Sequence, residues 1–297
     1  MRDEEKFFCS IAQLRERHAG LRWLVKGMLP KGSIGLLFGA SGSYKTFLAL
    51  DLGLSVALGI DWVGRPTKKG TVFYIAGEGG SSIVNRINAW LKSKGMTQVP
   101  SNFLICPSPV RLDCLGELEL VREEIEQAAE NLDAPALIIF DTLSQCSIGD
   151  EDNNTAISNL LTNITDVLLG AFPESVVLIL HHPGHGDSRR MRGASALLAN
   201  TDFVFRSEKN KDGKSSKLSV QKLKDGDLPP SLQISLDLVD LGRDSEGDPL
   251  SSLAVVGLDV SGPSQSESPR GKYECSISAE LRGSEGFSEH ELRRRIA

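Results

Sequence analysis

The sequence has no C-x-x-C pair, and its five cysteines (Cys9, Cys106, Cys114, Cys146 and Cys275) are odd in number and widely scattered. Neither a disulfide framework nor a structural zinc site fits that pattern, so reduced thiols are expected. Long hydrophobic runs are also missing. The longest, such as ALIIF and VVLIL, fall far short of the ~20 apolar residues that cross a bilayer, which leaves no membrane partner to expect. A basic-then-apolar leader is absent too, and the expected location is the cytoplasm. An excess of positive charge is the last thing lacking. With a formal net charge of -6, the chain would bind nucleic acid only through a local basic patch. No internal repeat is visible.

What remains is a chain of 297 residues, 40% apolar, long enough for one large core and a small appendage. Short aliphatic runs alternate with longer amphipathic stretches. SIGLLFG (33–39), TVFYIAG (71–77), NFLIC (102–106), ALIIFD (136–141) and VVLILH (176–181) read as buried parallel strands. The stretches between them, at 47–59, 81–95, 117–132 and 154–170, carry helical spacing, several ending at glycine. Repeated β-α-β order implies a mostly parallel sheet covered by helices on both faces. After residue 200, DFVFRSEK, KLSVQKLK, SLQISLDLVD and LAVVGLDV are separated by turn clusters and predict an antiparallel C-terminal extension of the same sheet. The expected organisation is an N-terminal arm (1–30), an α/β domain (31–261), and a linker that opens a C-terminal module (262–297), because GPSQSESPR is linker-like and SEGFSEHELRRRIA starts like a capped helix.

One loop carries the chemistry. Gly39-Ala40-Ser41-Gly42-Ser43-Tyr44-Lys45-Thr46 follows a strand and precedes an apolar helix beginning near Phe47, which is the context of a phosphate-binding loop. Loop N–H groups and the helix N-terminus would face the phosphates of ATP, Lys45 would reach the β- and γ-phosphates, and the Thr46 hydroxyl would bind Mg²⁺. Tyr44 stands where the pattern has glycine. A residue at the helix threshold can adopt ordinary right-handed angles, which leaves Gly39 and Gly42 to take the positions expected to need positive φ. Asp141 ends a core strand and is placed to hold the Mg²⁺ shell, while Glu78 follows another strand and is placed to deprotonate an attacking water, or else to serve as N-terminal charge for the next helix. His181 and His182 end a further strand and can bond the γ-phosphate. A histidine-held metal is disfavoured there, since no carboxylate-rich ligand cluster accompanies them. The loop that follows carries Arg189, Arg190 and Arg192, a basic patch suited to single-stranded DNA or a solvated loop. Within this set Lys45 is the one cation expected at the γ-phosphate.

Taken together, these motifs resemble those of the RecA-type P-loop ATPases, and within them the plasmid and phage RepA-like hexameric replicative helicases, an AAA-family, RecA/DnaB-like group. The resemblance spans about residues 20–260. It implies a RecA-like core and a homo-oligomeric ring, most simply a hexamer, with ATP and Mg²⁺ held between neighbours and single-stranded DNA in the central hole. It further implies Glu78 as base, Asp141 as metal carboxylate, and His182, preceded by His181, as sensor. Where the RepA helicase has an arginine, the best-matching position here is Asp202. The cation offered to a neighbour's ATP is then expected from Lys222 and Lys224 in KLKDG, whose alternate spacing puts them on one face of a strand. Alternate lysines on a hairpin strand also serve as protection for a sheet edge.

Overall fold

The computed structural model describes residues 10–11, 20–77, 80–147, 153–183 and 194–260. Strands β1 (Trp23–Val25) and β2 (Leu29–Pro30) form a small antiparallel sheet. β3 (Ser33–Phe38) is buried along its whole length, as a strand covered on both faces must be. Then follow α1 (Lys45–Leu58), β4 (Thr71–Ala76), α2 (Gly80–Ser93), β5 (Phe103–Cys106), α3 (Leu115–Ala129), β6 (Pro135–Asp141), α4 (Asn154–Ile164, prolonged by a π-helical stretch at Thr165–Leu169) and β7 (Val176–His181). The short α5 (Ala194–Asn200) leads into β8 (Phe203–Lys209), β9 (Ser215–Leu223), β10 (Leu232–Arg243) and β11 (Pro249–Val260).

Strands β3 to β11 make one nine-stranded sheet in the order β11-β10-β9-β8-β3-β7-β6-β4-β5. β5, β4, β6, β7, β3 and β8 are mutually parallel, so their carboxyl ends share one edge. This is the expected α/β, RecA-like core. One core lies under α1 and α2, where Leu48, Leu52, Ile83 and Trp90 pack on Leu37 and Ile139; the other sets Leu118 of α3, Leu161 of α4 and Leu197 of α5 against Leu36 and Ile179. Helix α1 ends as its sequence suggests. Gly59 takes φ 72 and donates to Ser55 O at 2.8 Å.

Two details differ from the sequence expectation. The extension is antiparallel only from β9 onward, because β8 runs parallel to β3 with Gly35 beside Phe203 and Phe38 beside Arg206. The reason is α5, a helical crossover that returns the chain to the starting edge of the sheet, which a tight turn cannot do. The stretch expected as an N-terminal arm also supplies Leu24, Val25, Met28 and Leu29 to the first core. The linker and module expected at 262–297 lie outside the described residues.

Candidate functional site

Because the parallel strands end together, the segments after β3, β4, β6 and β7 meet along one edge. Gly77 N donates to Asp141 O at 2.7 Å, and Gly39 N to His181 O at 3.3 Å, tying those ends in pairs. Between them opens a cleft of about 240 Å³, lined by the loop residues Ser41, Gly42, Tyr44, Lys45, Thr46 and Phe47, by Thr142 and His182 from two strand ends, and by Arg86 of α2.

The loop differs from the expected backbone in two places. Tyr44 does not take right-handed angles; it has φ 70 and ψ 19, the left-handed region in which a side chain costs about 1–2 kcal/mol. The pattern has glycine there for conformation, and tyrosine adopts it regardless. Gly42 has φ 75, with nothing near its Cα to obstruct a side chain, so conformation alone explains it. Gly39 is needed for a different reason from the one expected. Its φ is not positive, but a Cβ there would stand 2.3 Å from Ser207 O of β8 and 2.5 Å from Ser43 Oγ. The loop can leave β3 beside β8 only without a side chain at residue 39.

Lys45 is buried, and its ammonium donates to Gly39 O at 2.8 Å and Ala40 O at 3.1 Å, 3.5 Å from His182 Nδ1. The structure therefore brings Lys45 and His182 together at the mouth of the loop. Asp141 is buried behind it and accepts from Tyr74 Oη at 2.6 Å through Oδ2. His181 is fully buried and does not line the cleft. A hydroxyl and a buried carboxylate, Thr46 and Asp141, are hard oxygen donors of the kind Mg²⁺ takes alongside phosphate oxygens and water. Among the described residues no group of three or more His, Cys, Asp or Glu is assembled, so an ion here would depend on the phosphates for most of its shell.

Arg86 is an addition to the site expected from sequence. Its guanidinium carbon lies 5.0 Å from the centre of the Phe47 ring, in the same cleft as Lys45. Lys45 is thus not the one cation available within the chain. The sequence does contain a signal for it. Arg86 falls on the stripe formed by Ile83 and Trp90, where an arginine must have a task at the end of its reach.

Lys222 and Lys224 lie elsewhere. β9 pairs Lys222 with Val204, near the start of β8, while the loop follows the β3 residue beside Arg206. The Lys222 ammonium donates to Leu198 O and Thr201 O, carbonyls at the end of α5, where a cation meets the negative pole of the helix. Lys224 pairs with Asp202 at 3.2 Å, and the other carboxylate oxygen of Asp202 accepts from Ile34 N at 3.1 Å. The two lysines share one neighbourhood, as their spacing suggests. Glu78, Arg189, Arg190 and Arg192 lie outside the described residues.

A family profile described as an AAA domain matches residues 2–188. No curated protein sequence matches the chain. Among solved structures, a helicase ATPase domain is similar, with a TM-score of 0.52 at 11% identity over 75% of this chain and 91% of that one. At that identity the likeness concerns the fold.

Proposed function

The chain belongs to the AAA-domain family, and from that premise we propose that it is a P-loop ATPase acting as a ring-forming motor on single-stranded DNA, in the manner of a RepA-like replicative helicase. The observation that carries this proposal is the cleft in which Lys45, Thr46 and His182 face one another at the carboxyl edge of the sheet, with Asp141 behind. Anion-binding N–H groups, a cation and hard oxygen donors at a helix N-terminus suit MgATP.

In this account Lys45 and Arg86 neutralise the polyphosphate, Thr46 and Asp141 hold Mg²⁺, Glu78 deprotonates the attacking water, and His182 responds to the γ-phosphate. The bound Mg²⁺ would supply charge neutralisation across the β- and γ-phosphates. Lys222 and Lys224 are remote from their own loop, so a catalytic part for them requires the nucleotide of a neighbouring subunit, and a ring supplies that neighbour. Arg189, Arg190 and Arg192 then contact the DNA backbone. Strand displacement tests the motor. With ATP and a forked duplex bearing a single-stranded tail, the protein should release the labelled strand, and Arg189, Arg190 and Arg192 changed together to Ala should not. ATP hydrolysis with no release on forks of either polarity would instead indicate a DNA-dependent regulator of the same fold.

A further inference from the structure

The nucleotide loop does not hold its shape alone. Its last residues are bonded to the hairpin formed by β8 and β9. The Ser207 hydroxyl donates to Ser43 O at 2.5 Å, and the Ser216 hydroxyl approaches the same carbonyl at 3.3 Å. The Tyr44 hydroxyl donates to Gly213 O in the hairpin turn. Lys209 places its ammonium 5.2 Å from the centre of the Tyr44 ring, whose edge meets Phe47 at 6.1 Å.

The turn is a firm anchor. Asp212 Oδ1 accepts from the N–H groups of Lys214 and Ser215 at 2.9 and 3.0 Å, an Asx turn made by the sequence itself. Gly213 N donates to Asn210 O at 3.1 Å, and Asn210 N to Ser215 O at 2.9 Å. Gly213 has φ +68, which glycine adopts without strain.

We propose that Tyr44 is a positioning residue for the phosphate loop: its hydroxyl, held by the 210–214 turn, keeps residue 44 in the left-handed conformation that glycine would adopt freely. This rests on the assignment of Gly39–Phe47 as the MgATP site. The loop N–H groups bind phosphate only in one backbone arrangement, and a nucleotide must bear the cost of restoring it when the loop leaves that arrangement. Glycine at residue 44 needs no tether, because it has no Cβ to strain. Tyrosine needs one. Phenylalanine retains the Cβ and loses the tether, so it is the worst of the three.

The order of effects is therefore the reverse of chemical conservatism. Tyr44→Phe should raise the Kd for MgATP about five- to tenfold, the worth of one neutral hydrogen bond, while kcat at saturation stays at the parent value. Tyr44→Gly should remain within about twofold of the parent, since relief of strain offsets the lost tether. A side chain that merely filled space would give the opposite order. The measurement is MgATP titration and steady-state hydrolysis on the three proteins, together with amide hydrogen exchange without nucleotide. Exchange at residues 211–215 should be faster in Tyr44→Phe than in the parent. A Tyr44→Phe protein equal to the parent in Kd, a Tyr44→Gly protein weaker than Tyr44→Phe, or unchanged exchange in the turn would each overturn the proposal. If the parent itself fails to bind MgATP, the assignment of the site falls, and the exchange comparison still decides whether the tether exists.

Discussion

Lys45 and Arg86 approach the cleft from different elements, and the contrast separates what sequence can and cannot reveal about single residues. Lys45, Thr46 and Asp141 were legible because motif position fixes where they fall relative to a strand end. Arg86 was not, since its place depends on how α2 lies against α1, which spacing within one helix does not specify. The missing glycine at residue 44 was visible, but its conformation was not: φ 70 is imposed by the loop and supported by a turn 169 residues away in the chain. At this scale Arg86 carries a prediction. If its guanidinium neutralises phosphate charge that grows during transfer, Arg86→Ala should lower kcat/KM by at least about tenfold. Steady-state hydrolysis checks it, and a parent-like kcat/KM would leave Arg86 only its contact with Phe47.

Helices α1 and α2 meet around a buried carboxyl. Asp51 of α1 accepts from Trp90 Nε1 of α2 at 2.7 Å, and burial pushes its pKa up to about 6, against the lowering effect of the Trp90 bond and of Lys94. The folded protein thus holds a proton that the unfolded chain releases near 3.8, so stability falls as pH rises through 4 to 6. Ionised Asp51 costs of order 3 kcal/mol above that window. Asp51→Asn keeps an acceptor for Trp90 and removes the titration, so its advantage over the parent should grow between pH 4 and pH 6 and then level off. Urea unfolding of both proteins across that range checks it, and a difference that does not change with pH would contradict it. The elements themselves were largely legible. The parallel strands are continuous aliphatic runs, because both their faces are covered. The α5–β8 crossover is hidden because a seven-residue helix is too short to show a period, and without it β8 reads as the first strand of a meander.

At the scale of the whole molecule, the sheet has a working edge and a far end. The loop, His182 and Arg86 stand at the carboxyl edge, and Lys222 and Lys224 stand toward the other end of β8, beside the end of α5. A single subunit cannot bring these together, whereas a ring can, and a cation delivered in trans can raise phosphoryl transfer by about 10³-fold. Fold class was readable from β-α-β order alone; assembly is not written in any one chain's periodicity, because it depends on surfaces that pair only between copies. The direct test is the steady-state rate of ATP hydrolysis with and without oligo(dT), for the parent, for Lys45→Ala and Lys222→Ala alone, and for the two variants mixed. The account expects parent turnover that rises with oligo(dT), almost none in either variant alone, and partial recovery in the mixture. Parent-rate turnover by Lys45→Ala, or no turnover by the parent under either condition, would contradict it.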